Sequence, residues 1–183
     1  MNITPTHIDG VYIIEPRVFN DARGHFFESY NKLRLQDKGI EYNFVQDNQS
    51  KSSYGVIRGL HFQKAPHTQA KLLRVVEGTI IDVAVDIRKN SPTYGQHVAI
   101  ELSADNFKQL LIPQGFAHGF SVISETAIVQ YKCTDYYYPE TEGGISFNDS
   151  SLGIDWKVPT NKAIISEKDS KLPLLQDFIT PFI

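Results

Sequence analysis

Two histidines stand out by their settings. His61 lies in Gly55-Val-Ile-Arg58-Gly59-Leu-His61-Phe-Gln63, a strand-like run with two glycines and an arginine close by. His118 lies in Ile112-Pro113-Gln-Gly115-Phe-Ala-His118-Gly119-Phe120, where Pro-x-Gly forces a turn before the next run begins. An imidazole with an ordinary pKa of about 6.5 is half-charged near neutrality, which suits it to proton transfer. A lone histidine is as readily a satisfied core or surface residue. Two of them in strands beside turns point to a site. His7, His25, His67 and His97 have no comparable setting and read as surface residues. Cys133 is the only cysteine, which excludes an intrachain disulfide and a Cys-based zinc site.

The elements that must position these residues are short strands. Gly10, Asp21 to Gly24, Asn90 to Pro92, Pro113 to Gly115 and Glu142 to Gly144 punctuate β-branched and aromatic runs. Ile81, Val83, Val85 and Ile87 alternate with Asp82, Ala84, Asp86 and Arg88, the two-residue period of a strand with one apolar face. Further strands are expected at Val11–Ile14, His25–Tyr30, Phe44–Asn48, Gly55–Phe62, Lys71–Val76, Gln96–Leu102, Phe107–Ile112, Phe116–Ile123 and Ala127–Thr134. Asn31–Lys38, stopped by Gly39, reads as a short helix, and a second begins at Ser166, placed to cap the Asp169 amide. Roughly ten strands in succession predict an antiparallel all-β sandwich or barrel. Such a barrel can enclose a cavity, and inward polar residues become candidate ligands.

The chain's 183 residues suffice for one domain with a real core, read as spanning 1–183. Apolar residues make up 41% and charged residues 21%, which argues against a disordered chain. The net charge of -3 and the lack of a basic run argue against a nucleic-acid partner. No apolar stretch is long enough to cross a membrane as a helix, so no membrane partner is expected. The N-terminus lacks the basic and apolar regions of a secretory signal, and a cytoplasmic protein is expected.

The two histidine segments resemble the paired motifs of the cupins, whose fold is the double-stranded β-helix or jelly roll. Metal-binding cupins carry His-x-His and a downstream Glu in the first motif. Here the stretch reads His61-Phe62-Gln63, with His67, Thr68 and Lys71 where the carboxylate would fall. A lysine opposes a divalent cation and the missing carboxylate removes charge the metal needs, so no metal is expected, although His61, Gln63 and His118 could form a weak site.

A closer resemblance, to the dTDP-4-dehydrorhamnose 3,5-epimerases, covers nearly the whole chain. Phe19-Asn-Asp21-Ala-Arg23-Gly24-His-Phe26-Phe-Glu28, Gln46-Asp-Asn48, Arg58-Gly-Leu-His61-Phe-Gln63 and Gln69-Ala-Lys71-Leu-Leu-Arg74-Val carry it. Asp82-Val-Ala-Val-Asp86-Ile-Arg88, Ser91-Pro-Thr-Tyr-Gly95, the His118 segment, Tyr131-Lys-Cys-Thr-Asp-Tyr-Tyr137 and Gly153-Ile-Asp-Trp156 continue it in family order. The resemblance implies a jelly roll with a few short helices, a homodimer with exchanged N-terminal strands, and no metal or organic cofactor. It implies a dTDP-4-keto-6-deoxy sugar as substrate, inverted at carbons 3 and 5 on the way to dTDP-L-rhamnose and surface polysaccharide.

By the same resemblance His61 is the base, Asp169 its carboxylate partner, Lys71 the stabiliser of the enolate oxygen, and Tyr131 the acid. Lys71 also shares strand parity with Leu73 and Val75, which places it on an apolar inward face. Arg23 and Arg58 match diphosphate contacts, where a guanidinium donates two parallel bonds. Glu28, Gln46 and Asn48 match contacts to the nucleoside, and Phe26 and Tyr137 match aromatic positions about the thymine. His118 belongs to the substrate-binding set, as do Glu142 and Lys168 as outer polar contacts. Some of these, Phe26 and Glu28 among them, would come from the partner subunit.

Arg58 and His61 are separated by an odd interval, so a regular strand would turn them to opposite faces. A bulge at Gly59 is therefore predicted. Glu140-Thr141-Glu142-Gly143 departs from the family's more usual basic or His-containing stretch, which leaves fine substrate choice open. A single-carbon epimerase and a non-catalytic sugar-binding cupin stand as alternatives.

Overall fold

The computed structural model describes residues 1–183, and antiparallel strands dominate it. The strands are β1 (Asn2–Pro5), β2 (Tyr12–Glu15), β3 (Phe19–Asp21), β4 (Gly24–Phe26), β5 (Gln46–Ser53), β6 (Ile57–Gln63), β7 (Lys71–Glu77), β8 (Thr79–Asp86), β9 (His97–Ser103), β10 (Gln109–Ile112), β11 (Phe116–Val122), β12 (Thr126–Cys133) and β13 (Glu142–Gly144). A six-stranded sheet runs β1-β2-β10-β7-β12-β5, and a five-stranded sheet runs β13-β6-β11-β8-β9. Leu73, Val75, Leu110 and Val129 of the first meet Ile80, Ala84, Val98 and Phe120 of the second in one core. Two antiparallel sheets closed on a shared core form a jelly roll.

The outer face of the five-stranded sheet has its own cover. Ile57, Leu60, Phe62, Ile81, Val83 and Val85 pack there under Ile145, Leu152 and Trp156 from the C-terminal segment. That segment is pinned beside β6 by a parallel bridge between Val56 and Ile164. Ile57 donates its amide to Ile164 at 3.0 Å. The same stretch of chain then delivers Asp169 to β6.

Several expectations meet corrections here. β8 is buried on both faces, not one, because it lies within its sheet under a core on each side; Asp82 and Asp86 are wholly buried. The strand expected at Phe44–Asn48 runs instead over Gln46–Ser53, a polar edge strand held by eight-residue pairing with β12 rather than by an apolar pattern. The strand expected over His25–Tyr30 stops at Phe26. Phe27 leaves the line to pack edge-on against Phe107, and the Ser29 carbonyl accepts from Gln109 Nε2 at 2.8 Å. β1, β3 and the Gly-rich β13 have no pattern that marked them.

The helix expected at Asn31–Lys38 is α1 (Lys32–Gln36), with Asn31 as N-cap accepting from the Arg34 amide at 3.3 Å. It buries Leu35 against Ile14, Ile40, Leu72 and Leu111. Ser166 does accept the Asp169 amide, at 3.1 Å, but only one tight turn, Asp169–Lys171, follows before Pro173. No helix is long and apolar enough to cross a membrane.

Candidate active site

Strand parity builds the cavity. On β7, Leu73 and Val75 point into the core, so Lys71 points the same way; on β12 Val129 and Tyr131 do, and on β11 Phe116 and Phe120 flank His118. His61 is directly opposite His118 in the β6–β11 register. Ile57, Leu60 and Phe62 of β6 occupy the outer core, which leaves Arg58 and His61 facing inward together.

The parity conflict is resolved by the predicted irregularity. Between the His118–His61 and Phe120–Arg58 pairs, β6 uses one residue more than β11. Gly59 takes φ +126°, and a Cβ there would lie 2.6 Å from Gly119 Cα and 2.9 Å from the His118 carbonyl. Only glycine fits this close approach of two backbones.

A cavity of about 420 Å³ is lined by His61, Lys71, Tyr131, Gln46, Asn48, Tyr137 and Glu142, along with Phe62, Gln63 and Gln69. An adjoining cavity of about 380 Å³ shares His61 and adds Arg58, Lys168 and Asp169. His61 Nε2 lies 2.7 Å from Asp169 Oδ1. Asp169 Oδ2 accepts the Gly59 amide at 3.3 Å, so the bulge itself holds the carboxylate. The Asp169 side chain is 5% exposed while His61 is 28% exposed, which makes His61 the member that meets a ligand. With Nε2 bonded to Asp169, Nδ1 is the ring nitrogen without a hydrogen-bond partner. Burial would raise the Asp169 carboxyl, but its bonds to His61, Gly59 and Ser166 outweigh that and hold it below the usual range.

Opposite stand a phenol and an ammonium. The Lys71 ammonium lies 6.0 Å from the Tyr131 ring centroid. Burial pushes Lys71 down, against the pull of Cys133, Asp82 and Glu142. Burial pushes the Tyr131 phenol up, and Cys133 adds to this while Arg58 opposes it. Arg58 reaches across to Ser52 Oγ of the other sheet at 3.1 Å. At the rim, Tyr137 donates to Glu142 Oε2 at 2.6 Å, and Lys168 binds the same oxygen. Gln46 donates to Asn48 Oδ1 at 3.0 Å on β5.

His118 lies deeper than a contact residue need be: it is 7% exposed and bonded through Nε2 to Asp82 Oδ1 at 2.8 Å. Burial pushes its imidazole down in spite of that carboxylate. Arg23, Phe26 and Glu28 do not reach the cavity of their own chain. Arg23 pairs with Asp21 at 2.6 Å, Phe26 is 67% exposed on the β3–β4 hairpin, and Glu28 pairs with Arg34 at 2.9 Å.

The sequence pattern misjudged three residues, Gln63 among them, which it weighed only as a weak metal ligand beside His61 and His118. Gln63 is a buried clamp, donating to the carbonyls of His67 at 2.8 Å and Tyr136 at 3.0 Å and accepting the Tyr138 amide at 2.7 Å. His67 is no idle surface residue: it bonds Asp135 at 3.0 Å and stacks on Tyr138. Asp82 passed for the polar side of an amphipathic strand; the small Ala84 beside it was the one sign of a crowded interior. No three His, Cys, Asp or Glu side chains come together as a metal would require.

A jelly roll whose inner cavity is lined by His61, Lys71 and Tyr131, with Asp169 bonded to His61, places the chain among the cupins. Residues 5–177 match the family described as dTDP-4-dehydrorhamnose 3,5-epimerase. The Escherichia coli K12 protein of that name is 51% identical over 98% of this chain and 97% of its own length. The Elizabethkingia anophelis enzyme structure is 53% identical, covers 97% of both chains and superposes with a TM-score of 0.92. A Legionella pneumophila epimerase in complex with dTDP-4-keto-L-rhamnose is 49% identical over 96% of this chain and 93% of its own, with a TM-score of 0.91. This chain belongs to the dTDP-4-dehydrorhamnose 3,5-epimerase family and is an isomerase.

Proposed function

We propose that the protein inverts carbons 3 and 5 of dTDP-4-dehydro-6-deoxy-D-glucose, giving dTDP-4-dehydro-L-rhamnose for dTDP-L-rhamnose and surface-polysaccharide synthesis. The ketone at carbon 4 acidifies both neighbouring C–H bonds, since either carbanion delocalises onto the ketone oxygen. His61 takes the proton through Nδ1, and Asp169 stabilises the imidazolium that forms, as the carboxylate of a Ser-His-Asp triad does. Lys71 meets the negative oxygen in a low-dielectric cavity, where a fixed cation is worth most. Tyr131 returns a proton on the opposite face. Burial makes the phenol a weaker acid, and the Arg58 charge, which opposes that shift, favours loss of its proton.

The observation that carries this reading is the 2.7 Å His61–Asp169 pair opening on the cavity that holds Lys71 and Tyr131. Arg58 takes the diphosphate with Arg23, and Tyr137 and Phe26 flank the thymine. Gln46, Asn48 and Glu28 meet the nucleoside, His118 lies against the sugar, and Glu142 and Lys168 form an outer polar rim. Because Arg23, Phe26 and Glu28 lie away from their own cavity, a homodimer that exchanges N-terminal strands completes each site. The chain works as one domain, in the cytoplasm where the activated sugar is made, without metal or organic cofactor.

The test is incubation with the 4-keto sugar nucleotide in deuterium oxide. Deuterium at carbons 3 and 5 is expected. Deuterium at one carbon means a narrower epimerase, and none means a sugar-binding cupin.

A further inference from the structure

The inner wall of the barrel carries a second carboxylate–imidazole pair that these proton transfers leave unused. Asp82 lies between Ile80 and Ala84 on the inward face of β8, wholly buried. One oxygen, Oδ1, is held by His118 Nε2 at 2.8 Å. The other, Oδ2, is buried and has no hydrogen-bond partner. A buried carboxylate oxygen without a donor is costly unless a cation lies within reach. Lys71 projects from the facing sheet into the same interior, makes no direct bond to Asp82, and feels it through space.

We propose that Asp82, anchored by His118, is the positioning residue for Lys71, its free Oδ2 keeping that side chain an ammonium aimed at the cavity. The inference rests on the reading of Lys71 as the enolate stabiliser. Of the groups that oppose burial at Lys71, Asp82 is the one with a buried oxygen that has no hydrogen-bond partner. Cys133 and Tyr131 on β12 are both pushed up by burial, away from their charged forms. His61 and His118 on β6 and β11 bring no negative charge. Glu142 on β13 is already engaged by Lys168 and Tyr137. Asp82 has an oxygen free for Lys71, and removing its charge would leave burial less opposed in pushing that side chain down.

Asp82→Asn keeps the shape and removes the charge. Its kcat-against-pH profile is expected to lose activity on the alkaline side first. The alkaline limb moves about one pH unit or more toward lower pH, the usual effect of deleting one adjacent opposite charge, with KM changing less than kcat. Replacing Lys71 by Arg in the same variant should return the limb to high pH, because a guanidinium needs no such help. A limb that stays put, or a loss equal at every pH, overturns the inference. Should Asp82→Asn fail to fold, the unmutated protein is labelled with ¹³C at aspartate carboxyls and ¹⁵N at lysine. The Asp82 carbon is expected to shift as the Lys71 nitrogen loses its proton, and no shift overturns the inference equally. Deuterium entry into the sugar by the unmutated enzyme separates the two readings. Exchange with an unmoved limb defeats only the role of Asp82; absent exchange defeats the function beneath it.

Discussion

His61 and Asp169 lie 108 residues apart in the chain, yet their side chains meet at 2.7 Å, and the proposed chemistry depends on that meeting. His61→Ala should lower turnover by roughly 100- to 10,000-fold, the usual worth of a general base, and abolish deuterium exchange. Tyr131→Phe should spare exchange more than product formation, since it removes the returning proton and leaves the base in place. Comparing isotope entry with product formed in the two variants checks both. Arg58 carries a separate expectation. Its alanine variant should bind dTDP more weakly in calorimetry, with any fall in turnover following from a misplaced sugar. Unchanged affinity would mean that the diphosphate lies elsewhere.

At the scale of the element, two short segments do more than their length suggests. The bulge at Gly59 turns Arg58 and His61 to one face and supplies the amide that holds Asp169. Gly59→Ala must push β6 and β11 apart and hold a side chain at φ +126°. A loss of about 1–3 kcal/mol in urea unfolding is expected, with activity falling further than stability alone explains. The end of β8 is the second segment. Burial would raise the Asp86 carboxyl, but Arg88, Ser91 and Thr93 hydrogen-bond it and hold its pKa down at about 2. A depressed folded-state pKa adds stability that is complete above the unfolded value of about 4 and is lost as pH falls toward 2. The contribution is about 2 kcal/mol. Asp86→Asn should therefore be less stable than the unmutated protein at pH 7, and the gap should narrow as both are unfolded at progressively lower pH.

The whole molecule decides whether a site is complete. Arg23 and Phe26 stand exposed on a hairpin outside both main sheets, and in the proposed dimer a second copy brings them to a cavity. An Arg23→Ala, Phe26→Ala double variant and a His61→Ala variant should each be nearly inactive. Mixed after mild unfolding and refolding together, they should regain activity, because a hybrid dimer holds one cavity with an intact base and an intact arm. No recovery, with hybrids shown to form, would place these residues outside the site.

Alternating patterns and Pro/Gly punctuation made the all-β class and most strands readable, because side-chain periodicity follows directly from backbone geometry. The same geometry made the odd spacing of Arg58 and His61 a problem whose solution, a bulge at Gly59, was readable too. The polar β5 and the Gly-rich β13 were less legible, since their pairing comes from neighbours and not from their own residues. The family resemblance nominated His61, Lys71, Tyr131 and Asp169, but only folding could bring Asp169 to His61. Burial was the least legible quantity. Asp82 and Asp86 look like the wet side of a strand until a second sheet closes over one face and the C-terminal segment over the other. A local pattern records which way a side chain points; what lies in that direction depends on distant chain.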